Sequence, residues 1–175
     1  MLSPRSLLVL VVACQALAGC SNPDPSAPTT PAVPMPELEA AINNSTLDDA
    51  HRGMSNKTWL WTLGGPAQIH YSASDGRDYV WLVGQRRIFI GDWRVAQDMN
   101  AHGRAITKIC LRYPGAAGIP GLSESWTCEP AGKLFYDMTE RESGDPLRIT
   151  GRSEALFMLD RTPANLAEVQ ARVRN

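Results

Sequence analysis

The sequence lacks an excess of charge of either sign. Its 17 lysines and arginines and 18 aspartates and glutamates leave a formal net charge of −1 at pH 7. Acidic and basic residues are interspersed, so the chain offers neither a basic field to collect a polyanion nor an acidic tail. We therefore expect that it does not bind nucleic acid.

Cysteine and histidine are also scarce. The 175 residues include four cysteines and three histidines. No cysteine lies in a C-x-x-C motif or has a histidine at ligand spacing, whereas a structural metal site needs about four such ligands together. The sequence therefore predicts no metal ion, and nothing in it calls for another cofactor.

Long apolar stretches are absent except near the N-terminus. The run at residues 7–14 is shorter than the roughly 20 residues of a membrane-spanning helix, and it follows Arg5 as in an export signal. The next motif, Leu17-Ala18-Gly19-Cys20, resembles the lipobox of bacterial lipoproteins. The resemblance implies a signal peptide over residues 1–19, a diacylglycerol on the Cys20 thiol and acylation of the new N-terminus.

A proline-rich stretch follows the lipobox. Residues 21–36 read SNPDPSAPTTPAVPMP, with six prolines and almost nothing that builds a core. This composition predicts a semi-rigid tether over residues 20–36. Ser21, in place of an aspartate after the cysteine, resembles the outer-membrane sorting pattern of enteric bacteria. We expect a protein of the cell envelope, lipid-anchored in the outer membrane and facing the periplasm.

The rest of the chain, residues 37–175, has the length of one domain. Residues 36–54 predict a short helix that begins near Pro36 and stops at Asn43-Asn44-Ser45. From Lys57 onward, short stretches rich in aromatic and β-branched residues alternate with turn residues. They predict strands at 57–63, 67–73, 78–83, 87–96, 105–113, 124–129, 133–139, 146–151 and 155–160.

Sequential strands of this kind predict an antiparallel meander that forms a small barrel or a sandwich. The last segment predicts a helix with Thr162 as N-cap, Pro163 at its first position, and Leu166, Val169 and Val173 along one side. The expected fold class is therefore mainly β, with a short N-terminal helix and a C-terminal helix.

Three motifs occur in order between residues 57 and 150: a D-G turn, a G-x-W-x-V sequence and two later cysteines. Their residues are Asp75, Gly76, Gly91, Trp93, Val95, Cys110 and Cys128. The arrangement resembles a family of small secreted bacterial β-domains of unknown function. The resemblance implies a meander with the cysteines on neighbouring strands, and it supplies no activity. The insert PGAAGIPGLSE between the cysteine strands departs from the family pattern.

Cys110 and Cys128 are the cysteines that the predicted processing leaves unmodified in the exported domain. In an oxidising compartment, an even pair is first interpreted as a disulfide. The two residues lie on separate predicted strands, without the helix N-terminus that lowers the pKa of a reactive thiol. We predict a structural disulfide between them.

Signals of catalysis are weak. The sequence Gly121-Leu122-Ser123-Glu124-Ser125 lacks the final glycine of G-x-S-x-G and has no predicted helix after it. The histidines His51, His70 and His102 are not spaced to act together. Acidic residues such as Asp92, Asp137, Glu140 and Glu142 fit solvated faces and turns better than a catalytic pair. We expect that the protein is not an enzyme.

Apolar side chains are the remaining candidates for binding. Trp59, Trp61 and Trp81 recur at alternating positions of neighbouring predicted strands, as core residues or as a face that contacts a sugar, a lipid or a partner. In the loop Pro114–Ser125, Ile119 and Leu122 either fold back as a lid or dock into a partner. The basic residues Arg77, Arg86, Arg87 and Arg94 predict a solvated strand edge or a contact for phosphate or carboxylate groups.

Our leading expectation is a lipid-anchored, non-enzymatic domain that binds another envelope protein or assembly. The main alternative is a small barrel that holds a lipid or other apolar ligand, which requires a void of roughly 300 Å³ or more. An inhibitor of a lysozyme-like enzyme, with the 115–125 loop as its contact, and an envelope hydrolase are further alternatives.

Overall fold

The computed structural model describes residues 36–174. Within them the chain forms, in order, α1 (Pro36–Asn44), α2 (Leu47–Met54), β1 (Lys57–Trp61), β2 (Gln68–Ser72), β3 (Arg77–Leu82), β4 (Ile88–Met99), β5 (Ala105–Arg112), β6 (Thr127–Pro130), α3 (Ala131–Asp137), β7 (Glu140–Ser143) and α4 (Leu166–Arg174). None of these helices is long and apolar enough to cross a bilayer. The predicted leader and the lipobox with Cys20 lie outside the described residues.

The strands form one antiparallel sheet in the order β6-β5-β4-β3-β2-β1-β7. Strands β1 to β6 follow one another as a meander, and the turns predicted from glycine and asparagine connect β1 to β2, β2 to β3 and β4 to β5. The sheet curls into a half-barrel. The mainly β meander is therefore confirmed, with strand ends shifted from the predicted ones.

Strand β7 adds a pairing that the sequence did not predict. It lies antiparallel to β1, with Lys57 opposite Ser143, and the Lys57 ammonium donates a 2.7 Å hydrogen bond to the Ser143 hydroxyl. The two residues are 86 positions apart. The pairing places the first strand of the chain inside the sheet, between β2 and β7.

Both faces of the sheet are covered. The outer face, which carries Leu60, Ile69 and Trp81 across β1 to β3, packs against apolar residues of the C-terminal segment from Leu147 to Val173. The opposite, inner face carries Trp59 and its neighbours. Residues from α2, α3 and the loop after β5 cover that inner face.

Two helices precede the sheet where one was predicted. Helix α1 begins at Pro36 and ends at Asn44, as expected from its first-turn acids and its asparagines. A new helix, α2, then begins after Thr46, whose side chain accepts a hydrogen bond from the Asp49 backbone N–H while the Asp49 carboxylate accepts one from the Thr46 N–H. This reciprocal cap is visible in the sequence as T-x-x-D, and the sequence prediction missed it.

The strand predicted at 133–139 is wrong, because residues 131–137 form α3. Lys133 and Asp137, one helical turn apart, form a 2.7 Å ion pair. Helix α1 packs closely on α3 at Gly132, where a Cβ atom would overlap the backbone of Ala41 and Ile42. The apolar residues of this segment, Leu134, Phe135 and Met138, pack in one cluster with residues of the sheet and of α2.

The strands predicted at 146–151 and 155–160 are also wrong. Both segments are irregular, and the isolated β-bridge near them joins Arg87 to Glu154, which lies between the two segments. Asp145 stabilises the first segment by accepting hydrogen bonds from the backbone N–H groups of Ile149 and Thr150. Apolar side chains from both segments nevertheless cover the outer face, which explains their strand-like pattern.

The C-terminal helix is confirmed, with a later start than predicted. Helix α4 begins at Leu166, and the N-cap role falls to Asn165 instead of Thr162, since the Asn165 side chain accepts a 2.8 Å hydrogen bond from the Glu168 N–H. Leu166 and Val169 are buried against the outer face, with Val173 partly buried beside them.

The disulfide between Cys110 and Cys128 is also confirmed. The two residues are directly opposite on β5 and β6, with Cα atoms 4.0 Å apart. The bond fastens the short edge strand β6 to the meander. It also closes the base of the loop Pro114–Ser125.

Candidate functional site

The inner face carries a buried chain of polar side chains on β2 and β3. Gln68, His70 and Ser72 alternate along β2, and Ser72 lies opposite Asp78 on β3. All four side chains therefore point to the same side of the sheet. Each is buried, with Asp78 and Ser72 fully inaccessible to solvent.

Asp78 is the centre of this chain. Its carboxylate accepts hydrogen bonds from His70 Nδ1 at 2.8 Å, from the Tyr113 hydroxyl at 2.7 Å and from the Ser72 hydroxyl at 2.5 Å. The Ser72 oxygen in turn accepts a 2.9 Å hydrogen bond from the Trp59 indole N–H. All three donors are side chains of the protein, so hydrogen bonds within the protein replace the hydration that the Asp78 carboxylate loses on burial.

His70 is fixed from two sides. Its ring stacks on Trp59, with ring centroids 3.7 Å apart and planes inclined by 5°. While Nδ1 faces Asp78, Nε2 lies 2.9 Å from the side-chain oxygen of Gln68. Both ring nitrogens thus have an oxygen partner within the protein.

Tyr113 reaches this chain from the end of β5 because Gly91 leaves room for it. A Cβ atom at Gly91 would overlap the Arg112 carbonyl and the Tyr113 ring. The absence of a side chain at Gly91 therefore lets β5 and Tyr113 approach β4 closely. Burial, and secondarily the Asp78 carboxylate, raises the pKa of the Tyr113 hydroxyl well above its usual value.

A pocket of about 320 Å³ opens above these residues on the inner face. Its floor includes the buried side chains of Gln68 and His70, and Thr127 and Glu129 of β6 lie exposed at its rim. The walls are aromatic and aliphatic, and consist of Trp59, Trp61, Ile109, Leu111, Tyr113 and Leu134. The space is at the lower end of the range for small-molecule sites.

The curl of the sheet creates the pocket. Its walls come from β1 and β2 on one side and from β5 and β6 on the other, although β3 and β4 separate these pairs in the sheet. Leu63, Gly64 and Gly65 of the β1–β2 turn, and Gly121 and Ser123 of the loop after β5, complete the lining. The disulfide next to Leu111 and Thr127 holds the β6 wall in place.

The structure separates the three tryptophans that were expected to share a face. Trp59 and Trp61 line the pocket. Trp81 pairs with Ile69 and lies on the outer face, where it is 1% exposed and packs edge-on against Phe157. The difference arises because Trp81 is aligned with Leu60, one residue away from either tryptophan of β1.

Ile119 and Leu122 pack beside the pocket floor. Both side chains are partly buried against a cluster that contains Val80, Phe89 and Tyr113. The Tyr113 N–H donates a 2.7 Å hydrogen bond to the Ser123 carbonyl, which closes the loop onto β5. Of the two roles expected for these side chains, packing back onto the sheet agrees with that of a lid.

Ser123 and the three histidines do not come together. The Ser123 hydroxyl oxygen accepts a hydrogen bond from the Ser125 N–H, and no hydrogen bond joins it to His70 in the described part of the chain. His51 instead contacts the edge of Trp93, and His102 lies exposed in the β4–β5 turn. Between residues 36 and 174, no group of three or more histidine, cysteine or acidic residues is placed to hold a metal ion.

The predicted basic residues each have their own neighbour. Arg77 lies 4.0 Å from Asp75, and Arg86 lies 3.7 Å from Glu154. The guanidinium of Arg87 lies over the Phe89 ring and that of Arg94 over Trp126. Arg77 and Arg94 belong to the interior strands β3 and β4, so the predicted strand edge is wrong for these two residues.

Sequence reasoning missed Gln68, Asp78 and Tyr113. In β2, the polar residues alternate with Ile69 and Tyr71, a pattern that predicts a solvated face. The signal that was available is the preceding strand with Trp59 and Trp61. In the register of the β1–β2 hairpin, His70 and Gln68 lie opposite these tryptophans and therefore share their face. Tyr113 could not be placed because its contact to Asp78 spans 35 residues.

Comparison of the chain with protein-family models, with curated proteins and with solved structures finds no match. The resemblance to small secreted β-domains stays a prediction that depends on its short motifs. Function is therefore inferred from the pocket and its surroundings.

Proposed function

We propose that this chain is a lipid-anchored, non-enzymatic protein of the cell envelope that binds a small, mainly apolar molecule in the inner-face pocket. The observation that carries the proposal is the space of about 320 Å³ enclosed by inward tryptophan, tyrosine and aliphatic side chains. It supports the apolar-ligand alternative, which required such a void. Apolar walls with a few convergent polar groups are the usual composition of a ligand pocket.

The polar groups of the floor support binding over catalysis. A general base needs a nitrogen or oxygen that faces the substrate, whereas both His70 nitrogens face Asp78 and Gln68. The Asp78 carboxylate is likewise occupied by three donors from the protein. These groups orient one another and leave no reactive atom directed at the pocket.

The envelope part of the proposal depends on the sequence. The short apolar leader, the Leu17-Ala18-Gly19-Cys20 lipobox and the proline-rich stretch behind it support an exported domain tethered to a membrane. Ser21 supports the outer membrane as the site of the anchor. A pocket on such a domain faces the periplasm, where free apolar molecules need a carrier or a sensor.

Another envelope protein is the second candidate occupant. Leu63 at the pocket rim is 52% exposed, beside Gly64 and Gly65. An apolar side chain of a partner could contact Leu63 and enter the pocket between these glycines. The same rim residues would then form the edge of a protein interface.

Binding of an uncharged, apolar fluorophore such as phenylnaphthylamine tests the proposal. Thr127 lies opposite Leu111 at the rim, so a tryptophan there would occupy the mouth of the pocket. We expect saturable binding by the wild type, with a Kd raised about tenfold or more in Thr127→Trp, a loss of roughly 1.4 kcal/mol.

Gln97→Trp is the matched control, because Gln97 is an exposed residue of β4 outside the pocket lining. It should bind the fluorophore like the wild type. Absence of saturable binding, or equal Kd values for the two variants, would contradict an apolar site in this pocket.

A further inference from the structure

The pocket floor contains one side-chain donor whose position is set by the whole polar chain beneath it. Gln68 is 8% exposed and lines the pocket. Its oxygen contacts His70 Nε2, and His70 is in turn held by Asp78 and by the stack on Trp59. In this orientation the amide nitrogen faces the Gly121 carbonyl, and a turned-over amide would set its oxygen against that carbonyl instead.

This orientation leaves the amide nitrogen of Gln68 weakly used. Nε2 carries two hydrogens, and its acceptor in the protein is the Gly121 carbonyl at 3.5 Å. That distance lies beyond the usual 2.7–3.2 Å of an N–H···O bond. This long contact uses at most one of the two hydrogens, so the other is available to an acceptor inside the pocket.

The charges around the pocket restrict the acceptor further. Glu129 is the acidic residue of the rim, and the Asp78 carboxylate lies behind His70. No lysine or arginine is part of the described lining. The Lys133 ammonium lies 4.0 Å from Glu129, outside the pocket lining. A carboxylate ligand would therefore lose its hydration among apolar walls without gaining a cationic partner in the lining.

We propose, on the basis of the pocket function above, that the ligand is an uncharged apolar molecule with a carbonyl oxygen that accepts a hydrogen bond from Gln68 Nε2. The hydrocarbon part lies against Trp59, Trp61, Ile109 and Leu111. An ester and an amide share this chemistry. Gln68 thus determines specificity, while the apolar walls supply most of the affinity.

Displacement of the fluorophore by a pair of isosteres tests this inference. The first probe is a methyl alkyl ketone, and the second is the alkene in which a methylene group replaces the carbonyl oxygen. A neutral hydrogen bond contributes about 0.5–1.5 kcal/mol. The wild type should therefore bind the ketone about 2- to 12-fold more tightly than it binds the alkene. The fatty carboxylate of equal length should bind more weakly than the ketone. The methyl ester and the N-methyl amide of that acid then distinguish the two sources of the carbonyl.

Gln68→Glu isolates the donor, because it keeps an oxygen for His70 and replaces the amide nitrogen by a second oxygen. The ketone should lose its advantage over the alkene in this variant. Gln97→Glu, which adds the same charge outside the pocket, should keep the wild-type preference. Should Gln68→Glu fail to give a cooperative melting transition, Gln68→Met gives the same comparison without a new charge.

The outcomes separate this inference from the proposed function. Equal affinities of the wild type for ketone and alkene, or a preference that survives removal of the Gln68 donor, would overturn the carbonyl inference and leave the apolar pocket in place. Failure of every probe, the fluorophore included, would overturn both.

Discussion

Asp78 shows, at the scale of a residue, how a charge is held in this core. Its carboxylate has no contact with solvent and depends on hydrogen bonds from His70, Tyr113 and Ser72. Removal of one donor leaves a buried acceptor without that partner. The resulting loss in the free energy of unfolding exceeds the net contribution of the hydrogen bond itself. The polar floor should therefore be among the parts of the domain most sensitive to substitution.

Tyr113→Phe tests this sensitivity. The variant keeps the ring that packs on Gly91 and removes the hydroxyl that donates to Asp78. We expect unfolding in urea at neutral pH to show a loss of about 2 kcal/mol, typical of a hydrogen bond to a charged group. Tyr71→Phe is the control and should lose less, since that hydroxyl contacts Asn56 at an exposed site.

The same tyrosine gives a pH dependence with a defined sign. Because burial raises the pKa of Tyr113 well above 10.0 in the folded protein, the unfolded chain loses this proton first as the pH rises. The stabilisation is therefore complete below pH 10 and declines above it. In Tyr113→Phe, the alkaline decline in the free energy of unfolding should be smaller; an unchanged alkaline decline would contradict the buried, protonated hydroxyl.

Residue-level prediction succeeded where a side chain's role depends on near neighbours. The pairing of the cysteines followed from their number and placement, and a core position was one of the two interpretations given for Trp59. Gln68 and Asp78 were missed because polar alternation predicts solvent on that face. Whether a face is solvated depends on distant segments, here α2, α3 and the loop after β5.

At the scale of an element, the loop from Pro114 to Ser125 is part of the core. Ala116 is buried, and Ile119 and Leu122 pack against the same cluster. Successive backbone hydrogen bonds, from Ala116 to Tyr113, from Ile119 to Ala116 and from Leu122 to Ile119, give it a compact path. Such a loop contributes to stability in addition to bordering the pocket.

Ile119→Asp combined with Leu122→Asp measures that contribution. Exposure of two partly buried aliphatic side chains should cost about 2–3 kcal/mol and lower the Tm by about 5–10 °C at this chain length. Leu156→Asp with Met158→Asp is the matched control, since both residues are about half exposed. A Tm unchanged from wild type in the loop variant would favour docking of these side chains into a partner.

Elements closed by local turns were predictable, and elements defined by long-range packing were not. The hairpins from β1 to β5 follow directly from strand periodicity and turn residues. In contrast, the apolar pattern of residues 133–139 and 146–160 has a period that suits a strand, but these residues pack as a helix and as irregular chain over existing structure. The apolar residues of these segments are buried against the sheet, and this burial gives a strand-like pattern although the segments form no strand there.

At the scale of the whole molecule, the proposed lipid anchor predicts that membrane attachment requires the Cys20 thiol. Cys20→Ala should abolish incorporation of radiolabelled fatty acid and leave an unprocessed precursor, because the lipobox implies that this thiol carries the diacylglycerol. Cys14→Ala, within the predicted leader, should still be labelled. Label in the Cys20 variant would contradict the lipobox interpretation.

The pairing of β1 with β7 has a consequence for the order in which the chain assembles. Lys57 leaves the ribosome 86 residues before Ser143, its partner across these strands. At roughly 5–20 residues per second, β1 waits on the order of ten seconds with one edge unpaired. During synthesis and export, that edge is a template for intermolecular strand addition. A holding chaperone that shields β1 should therefore raise the yield of native protein more than one that binds the later strands.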